Sequence, residues 1–385
     1  MQKFTYANPT RILFGAGQIA AIAGEIPAAA RVLVTYGGGS IKANGVYDQV
    51  MAALAGRAVA EFGGIEPNPT CETMMKAAEI ARAEGSDFIL AVGGGSVADG
   101  SKFLAAALES DAADPWDLVT GKAKITGAVP LGVVLTLPAT GSESNCAAVI
   151  THKGRGAKLA FVHPAVFPAF AVLDPETTRS LPPRQVANGV ADAFVHVIEQ
   201  YLTRPAGGMV QDAYAEALLR TLIAVGPKTL ADPADADARA NLMWAANQAL
   251  NGLIAVGVPQ DWSTHMIGHE LTALYGIDHA RSLTIVLPSL MRVRLAAKRD
   301  KLAQYAAEVW GLRDGPADAR IESAILKTEA FFRALGMPVR LADGRIGKDA
   351  ADKVAANLEA HGLTALGEDE GVTPEIARKV LIAAA

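Results

Sequence analysis

The chain has 385 residues, a formal net charge of −5, 51% hydrophobic residues and 19% charged ones. That length exceeds one ordinary core and sets two domains as the expectation, and the balance is that of a folded globular protein. The acidic total, with no basic stripe, excludes a nucleic-acid surface. Cys71 and Cys146 are the only cysteines and lie far apart, a pattern that fits a reducing compartment. No apolar leader follows Met1, and no window approaches the roughly 20 apolar residues of a membrane span, so a cytoplasmic location is expected.

Residues 31–36 form an apolar run closed by Gly37-Gly38-Gly39, which reads as a buried parallel strand. Residues 58–62 and 87–92 read the same way, each ended by glycines, and residues 133–136 and 170–173 are later strands. Between them, residues 71–84 and 96–108 carry helical spacing. This alternation predicts a doubly wound, Rossmann-like parallel sheet. Past Leu181-Pro182-Pro183 helical periodicity takes over, as at 184–201, 211–223 and 238–253. The expected division is therefore an α/β dinucleotide-binding domain over 1–180 and an all-helical metal-binding domain over 181–385. Residues 345–385 carry short helices and no sign of chemistry. Residues 3–6 and 11–14 read as short strands suited to pairing across a dimer.

Two glycine loops follow predicted strands. Gly93, Gly95 and Ala98 fit G-x-G-x-x-A at a strand-to-helix turn, where bare backbone N–H groups and a helix N-terminus can meet a pyrophosphate. Gly37-Gly38-Gly39-Ser40-Ile41-Lys42 sits where an NAD enzyme presents a carboxylate to the ribose 2′-hydroxyl, and it holds no acid. A carboxylate about 4 Å from a phosphate costs roughly 1–4 kcal/mol. Its replacement by a serine donor and a lysine corresponds to about one to three decades of preference for a 2′-phosphate. Glu61, at the end of the next strand, supports the opposite reading of an NAD fold.

Asp192 and His196 lie four residues apart, and His265 and His269 repeat that spacing, which on a helix puts each pair on one face. His279 follows ten residues later, after a predicted loop at Gly276-Ile277-Asp278. Met266 occupies the place of the glutamate in H-E-x-x-H, and no cysteine pair is near, so neither a zinc-protease motif nor a structural zinc site is present. Imidazoles with a carboxylate suit a divalent first-row ion such as Fe or Zn. His152, His163 and His361 each stand alone and are read as ordinary histidines.

These segments together resemble the iron-containing (group III) alcohol dehydrogenases along essentially the whole chain. The likeness rests on Gly93-Gly94-Gly95-Ser96 with Asp99 and Lys102, residues 136–143 (TLPATGSE), Lys158, Ala171-Val172-Leu173-Asp174-Pro175, and the Asp192/His196 and His265/His269/His279 segments. Tyr36-Gly37-Gly38-Gly39-Ser40, residues 62–69 and Ala249-Leu250-Asn251-Gly252 resemble the NADPH-dependent aldehyde reductase (butanol dehydrogenase) branch. The resemblance implies a dehydroquinate synthase-like architecture, a homodimer, and NADP(H) with one divalent ion, Fe or Zn. It implies that Asp192, His196, His265 and His279 bind the metal, while His269 stands near the nicotinamide. It places Gly38, Gly39 and Ser40 at the 2′-phosphate and Gly94, Gly95 and Ser96 at the pyrophosphate. Asn68, Asp99, Thr136, Thr140, Ser142, Asn145 and Lys158 line the rest of the cofactor site. Asp278-His279-Ala280 departs from the family's common Pro-His-Gly.

The expected chemistry is reversible, metal-assisted hydride transfer between NADP(H) and aldehydes or primary alcohols, run mainly as aldehyde reduction, with His269 or water as proton donor. A lyase of the dehydroquinate synthase type shares the architecture, but its acidic sugar-phosphate substrate calls for lysines and arginines near the metal. Residues 186–201 and 245–279 contain none. A non-catalytic metal-binding protein would leave both glycine loops idle.

Overall fold

Short apolar runs become the central strands, buried on both faces, of a sheet that fills one of two compact units. The computed structural model describes residues 1–385. Residues 7–181 form one unit; residues 1–6 and 182–385 form the other. No helix is long and apolar enough to cross a membrane.

In the first unit, β1 (Arg11–Phe14), β2 (Arg31–Tyr36), β3 (Ala58–Phe62), β4 (Phe88–Gly94), β5 (Leu131–Leu137) and β8 (Phe170–Leu173) join one sheet in the order β1-β8-β5-β4-β2-β3. All its pairings are parallel. A separate antiparallel pair, β6 (Ala147–His152) and β7 (Ala157–Val162), was not expected. Val32, Val34, Leu90, Val92, Val134 and Val172 alternate onto one sheet face and pack with Ile22, Val46, Val50 and Leu54. The chain leaves β2 towards β3 and leaves β4 towards β5, so the direction of winding reverses between β2 and β4. Their carboxyl ends, Tyr36 opposite Val92, carry both glycine loops. In open α/β sheets such a switch point is where a ligand finds a crevice.

Residues 11–14 form a strand, as expected, at the outer edge of the sheet. They pair with β8 of the same chain, Arg11 opposite Phe170, and residues 3–6 form no strand. All four residues of β8 are buried, so its free edge needs a partner at once, and β1 is the nearest strand to supply one. The first six residues lie with the helical unit, where Gln2 N–H donates to the Gly257 carbonyl at 2.9 Å.

The helical unit is built round Pro183–Tyr201. From Gly189 to Tyr201 every residue of this helix is buried, as befits a helix enclosed on all sides. It packs against Met209–Ala231, Ala236–Ala249 and His279–Val293. The C-terminal segment is more than a tail. Val354, Leu358, Val380 and Leu381 share a core with Ile267, Leu271, Ile285 and Val286, so helices Ala350–Ala360 and Pro374–Ala383 back the two helices that bear His265 and His279.

Candidate metal centre and dinucleotide site

Three helices of the second unit carry the metal-type side chains. Asp192 and His196 lie one turn apart on Pro183–Tyr201, and Glu199 continues the same stripe at the seventh position. His265 stands in the first turn of Ser263–Tyr275, and His279 is the first residue of His279–Val293. Asp278 accepts hydrogen bonds from Arg184 Nε at 2.7 Å and Asn188 Nδ2 at 2.9 Å. The loop before His279 is thus tied to the helix that bears Asp192. Gly268 lets the other two helices meet: a Cβ there would stand 2.8 Å from Leu283 Cδ2 and 2.9 Å from Ser282 Oγ.

Asp192 Oδ1 lies 3.6 Å from His279 Nε2, 3.8 Å from His196 Nε2 and 3.9 Å from His265 Nε2. These separations exceed hydrogen-bond length. Around a tetrahedral ion with bonds near 2.1 Å, neighbouring ligand atoms stand about 3.4 Å apart, close to the values here. One ligand atom each of Asp192, His265 and His279 falls within 4.8 Å of the others. The His196 ring stacks on that of His265, with centroids 4.7 Å apart. His269 is outside the triad; its ring centroid is 4.9 Å from that of His279 and 6.1 Å from that of His265.

Burial would raise the pKa of Asp192, but His196, His265 and His279 hold it well below the usual carboxylate range. Burial would lower that of His265, yet Glu199 and Asp192 push it up to about 9. The pocket therefore attracts positive charge. Asp192 Oδ1 and His265 Nε2 are buried without a hydrogen-bond partner. Such orphaned atoms cost about 1–3 kcal/mol each, and a divalent ion removes that cost for both. The residues fit a metal.

Sequence spacing alone misses Glu199. Its carboxylate, 2% exposed, accepts from His265 Nδ1 and from the backbone N–H groups of Thr264 and His265. The signal was the position three past His196, on the same helix face.

In the sheet unit, β4 ends on Gly94, and Gly95 and Ser96 open the helix Gly95–Leu108. A Cβ on Gly95 would meet Thr140 Oγ1 at 2.4 Å, and one on Gly93 would meet Val97 Cγ2 at 2.5 Å. Protein packing already requires these glycines, beyond any approach of a phosphate. Gly39, with φ 90°, precedes the short helix Ser40–Ala43, and a Cβ on Gly38 would point into open space. Asn68 lies in the left-handed region (φ 57°); its N–H donates to Ser96 Oγ at 3.3 Å, and its Oδ1 accepts from Lys158 Nζ at 2.8 Å. Thr136 is on β5, and Thr140 lies in the loop that follows.

Asp99, Ser142 and Asn145 converge on Lys102, which is fully buried. Lys102 Nζ donates to Ser142 Oγ (2.9 Å), Asn145 Oδ1 (2.9 Å) and the Ala147 carbonyl (2.8 Å). Asp99 accepts from Ser142 Oγ at 2.5 Å and from Val149 N–H at 2.9 Å. Burial pulls the Lys102 amine down to about 8.

Glu61 accepts hydrogen bonds from Tyr47 Oη (2.5 Å), Tyr36 Oη (3.1 Å) and Lys42 Nζ (3.1 Å). The Lys42 ammonium also stands over the rings of Tyr47 and Tyr36, at 4.6 and 4.9 Å. The carboxylate that favoured an NAD reading is thus engaged by three donors, and Lys42, though exposed, is paired with it.

The iron-containing alcohol dehydrogenase family model matches residues 9–175, and the C-terminal model of the Fe-containing alcohol dehydrogenase family matches residues 186–365. The chain belongs to this family. The six-stranded parallel sheet followed by a largely helical unit is the iron-containing alcohol dehydrogenase fold, as the sequence resemblance implied. The chain is 54% identical over 386 residues to the NADPH-dependent aldehyde reductase YqhD of Escherichia coli K12, covering 100% of both chains. The crystal structure of YqhD superposes with a TM-score of 0.97, covering 100% of this chain and 99% of that one. The crystal structure of an NADH-dependent butanol dehydrogenase A from Thermotoga maritima, 35% identical, gives a TM-score of 0.95 over 100% of this chain and 99% of that one. In this family member the triad Asp192, His265 and His279, the first two buried and the third half-buried, is the group that binds the divalent metal.

Proposed function

We propose that this iron-containing alcohol dehydrogenase works as an NADPH-dependent aldehyde reductase, in which an aldehyde, NADPH and one proton give a primary alcohol and NADP+. The observation that carries the reading is the ring of three imidazole nitrogens 3.6–3.9 Å from one buried oxygen of Asp192. The name of the E. coli relative supports the direction and the dinucleotide. When bound, the divalent ion, Fe or Zn, supplies a Lewis acid for the carbonyl oxygen, and the dinucleotide supplies the hydride.

The chain's own residues do the rest. His196 joins Asp192, His265 and His279 as the fourth ligand, and its stacking on His265 supports that role. His269, half-buried beside His279, delivers the proton that the alcohol oxygen takes up. Gly38, Gly39 and Ser40 receive the 2′-phosphate; no acid stands among them, and Glu61 is held by its own donors. Gly94, Gly95 and Ser96 receive the pyrophosphate at a helix N-terminus. Asn68, Asp99, Thr136, Thr140, Ser142, Asn145 and Lys158 complete the dinucleotide site, ordered in part by the Lys102 and Lys158 hydrogen bonds. Dinucleotide binding belongs to residues 1–180 and metal binding to 181–385. The enzyme works as a homodimer in the cytoplasm on aldehydes and alcohols.

The test pairs metal analysis with NADPH consumption over a series of aldehyde chain lengths, for the wild type and His265→Ala. The variant is expected to lose its metal and its turnover together. Full turnover by metal-free His265→Ala defeats the reading, and equal or faster rates with NADH defeat its cofactor half.

A further inference from the structure

The helix that carries His265 begins without a cap of its own. Trp262, at the capping position, is left-handed (φ 66°) and makes no side-chain cap bond. A helix start leaves its first N–H groups without intrahelical partners, and buried ones need an acceptor. Ser263 N–H donates to Asp261 Oδ1 at 2.9 Å. The next two, Thr264 and His265, donate to Glu199, from another helix and 65 and 66 residues away in sequence. A buried carboxylate is well placed there, because the N-terminal end of a helix carries partial positive charge.

The same carboxylate also reaches a side chain. Glu199 Oε2 meets His265 Nδ1, while Oε1 accepts from Thr264 N–H. With both oxygens accepting, Glu199 leaves the proton of that contact on Nδ1. The lone pair of the neutral imidazole is then on Nε2, the atom 3.9 Å from Asp192 Oδ1. Metal-ligating histidines in general need such an outer partner to fix tautomer and ring orientation, and its loss costs about 10–100-fold in metal affinity.

We infer that Glu199 is a positioning residue for the metal centre: it joins the helix start to the His265 ring and commits Nε2 to the ion. The inference rests on the assignment of the metal to Asp192, His265 and His279. Glu199→Gln affects the two jobs of the carboxylate unequally. Glutamine keeps the size and, at the Oε1 position, the acceptor for Thr264 N–H; its amide NH2, at the Oε2 position, gives up the His265 N–H and donates to Nδ1, which drives the imidazole proton onto Nε2, where it blocks ligation.

The experiment measures Co2+ affinity of the metal-stripped full-length protein by its visible absorption, together with the melting temperature without metal. Wild type, Glu199→Gln and His265→Ala are compared. Glu199→Gln is expected to bind Co2+ about 10–100-fold more weakly, with a metal-free melt lowered only by the loss of one backbone hydrogen bond. A lowered melt with wild-type Co2+ affinity makes Glu199 a helix cap alone and overturns the inference. Unchanged Co2+ binding by His265→Ala sinks the metal assignment instead, a separate outcome. If Glu199→Gln does not fold, 15N–1H spectra of the zinc-loaded wild type decide: zinc on Nε2 of His265 with a protonated Nδ1 supports the inference, and zinc on Nδ1 overturns it.

Discussion

Replacing Gly268 by alanine tests how far packing between two helices sets the metal centre. The added methyl would start 2.8 Å from Leu283 Cδ2 and 2.9 Å from Ser282 Oγ. Both neighbours are fully buried, so neither can swing into solvent. Ser282 Oγ also donates to the His279 carbonyl at 2.7 Å, which passes any push on Ser282 to the first residue of the His279 helix. Overpacking of this kind costs about 1–3 kcal/mol. For a unit of this size, each kcal/mol lowers the melting temperature by about 2–4 °C. Part of the strain is relieved by moving His279 away from His265, so metal affinity falls as well; a loss of 1.4 kcal/mol there is about tenfold. The assay is thermal melting with and without zinc, plus a zinc competition titration. The expected result is a lower melt in both states and a zinc affinity reduced about tenfold. Wild-type melting and wild-type affinity in Gly268→Ala would refute the idea that this close approach holds the two histidines together.

Gly38→Asp should raise the KM for NADPH by about one to three decades and spare NADH, because it returns a carboxylate to the 2′-phosphate position; an unchanged NADPH/NADH ratio places the phosphate elsewhere. Asp278→Ala removes the acceptor shared by Arg184 and Asn188 and should weaken metal binding several-fold, read by zinc competition, with little change in the melt of the metal-free protein. For Lys102, burial lowers the folded-state pKa from 10.5 to about 8. Between those values the unfolded chain binds a proton that the folded chain does not, so folding gains stability as pH rises. Compared with Lys102→Met, the wild type should gain on the order of 1–3 kcal/mol between pH 8 and pH 10, measured by urea unfolding. A flat difference across that range means that Lys102 is not desolvated.

Much of this architecture was legible because its residues speak locally. β2 and β3 run over 31–36 and 58–62 as read; β2, buried on both faces, is a continuous apolar run closed by glycine, and β3, the half-buried edge strand, is closed by glycine too. The helix at 71–84 was equally plain, with Thr70 capping it by accepting from Thr73 N–H. The β6–β7 hairpin was not, because its pattern mixes buried, half-buried and exposed residues and depends on the partner strand. β1 was read over 11–14, but residues 3–6 form no strand, and four residues that state a strand do not state which neighbour they join.

The primary structure alone determined the alternation that winds a parallel sheet, the change to helix near residue 180, the glycine loops, and the i,i+4 spacing that put Asp192 beside His196. Helical and strand periods are properties of neighbouring residues, so they survive without a fold. Only the tertiary structure decided that Glu199 meets His265, that Lys102 gathers Asp99, Ser142 and Asn145, and that Glu61 is taken up by Tyr36, Lys42 and Tyr47. Those pairings join residues that lie mostly tens of positions apart, and a buried polar group chooses its partner by what the packing leaves within reach, which no local pattern encodes.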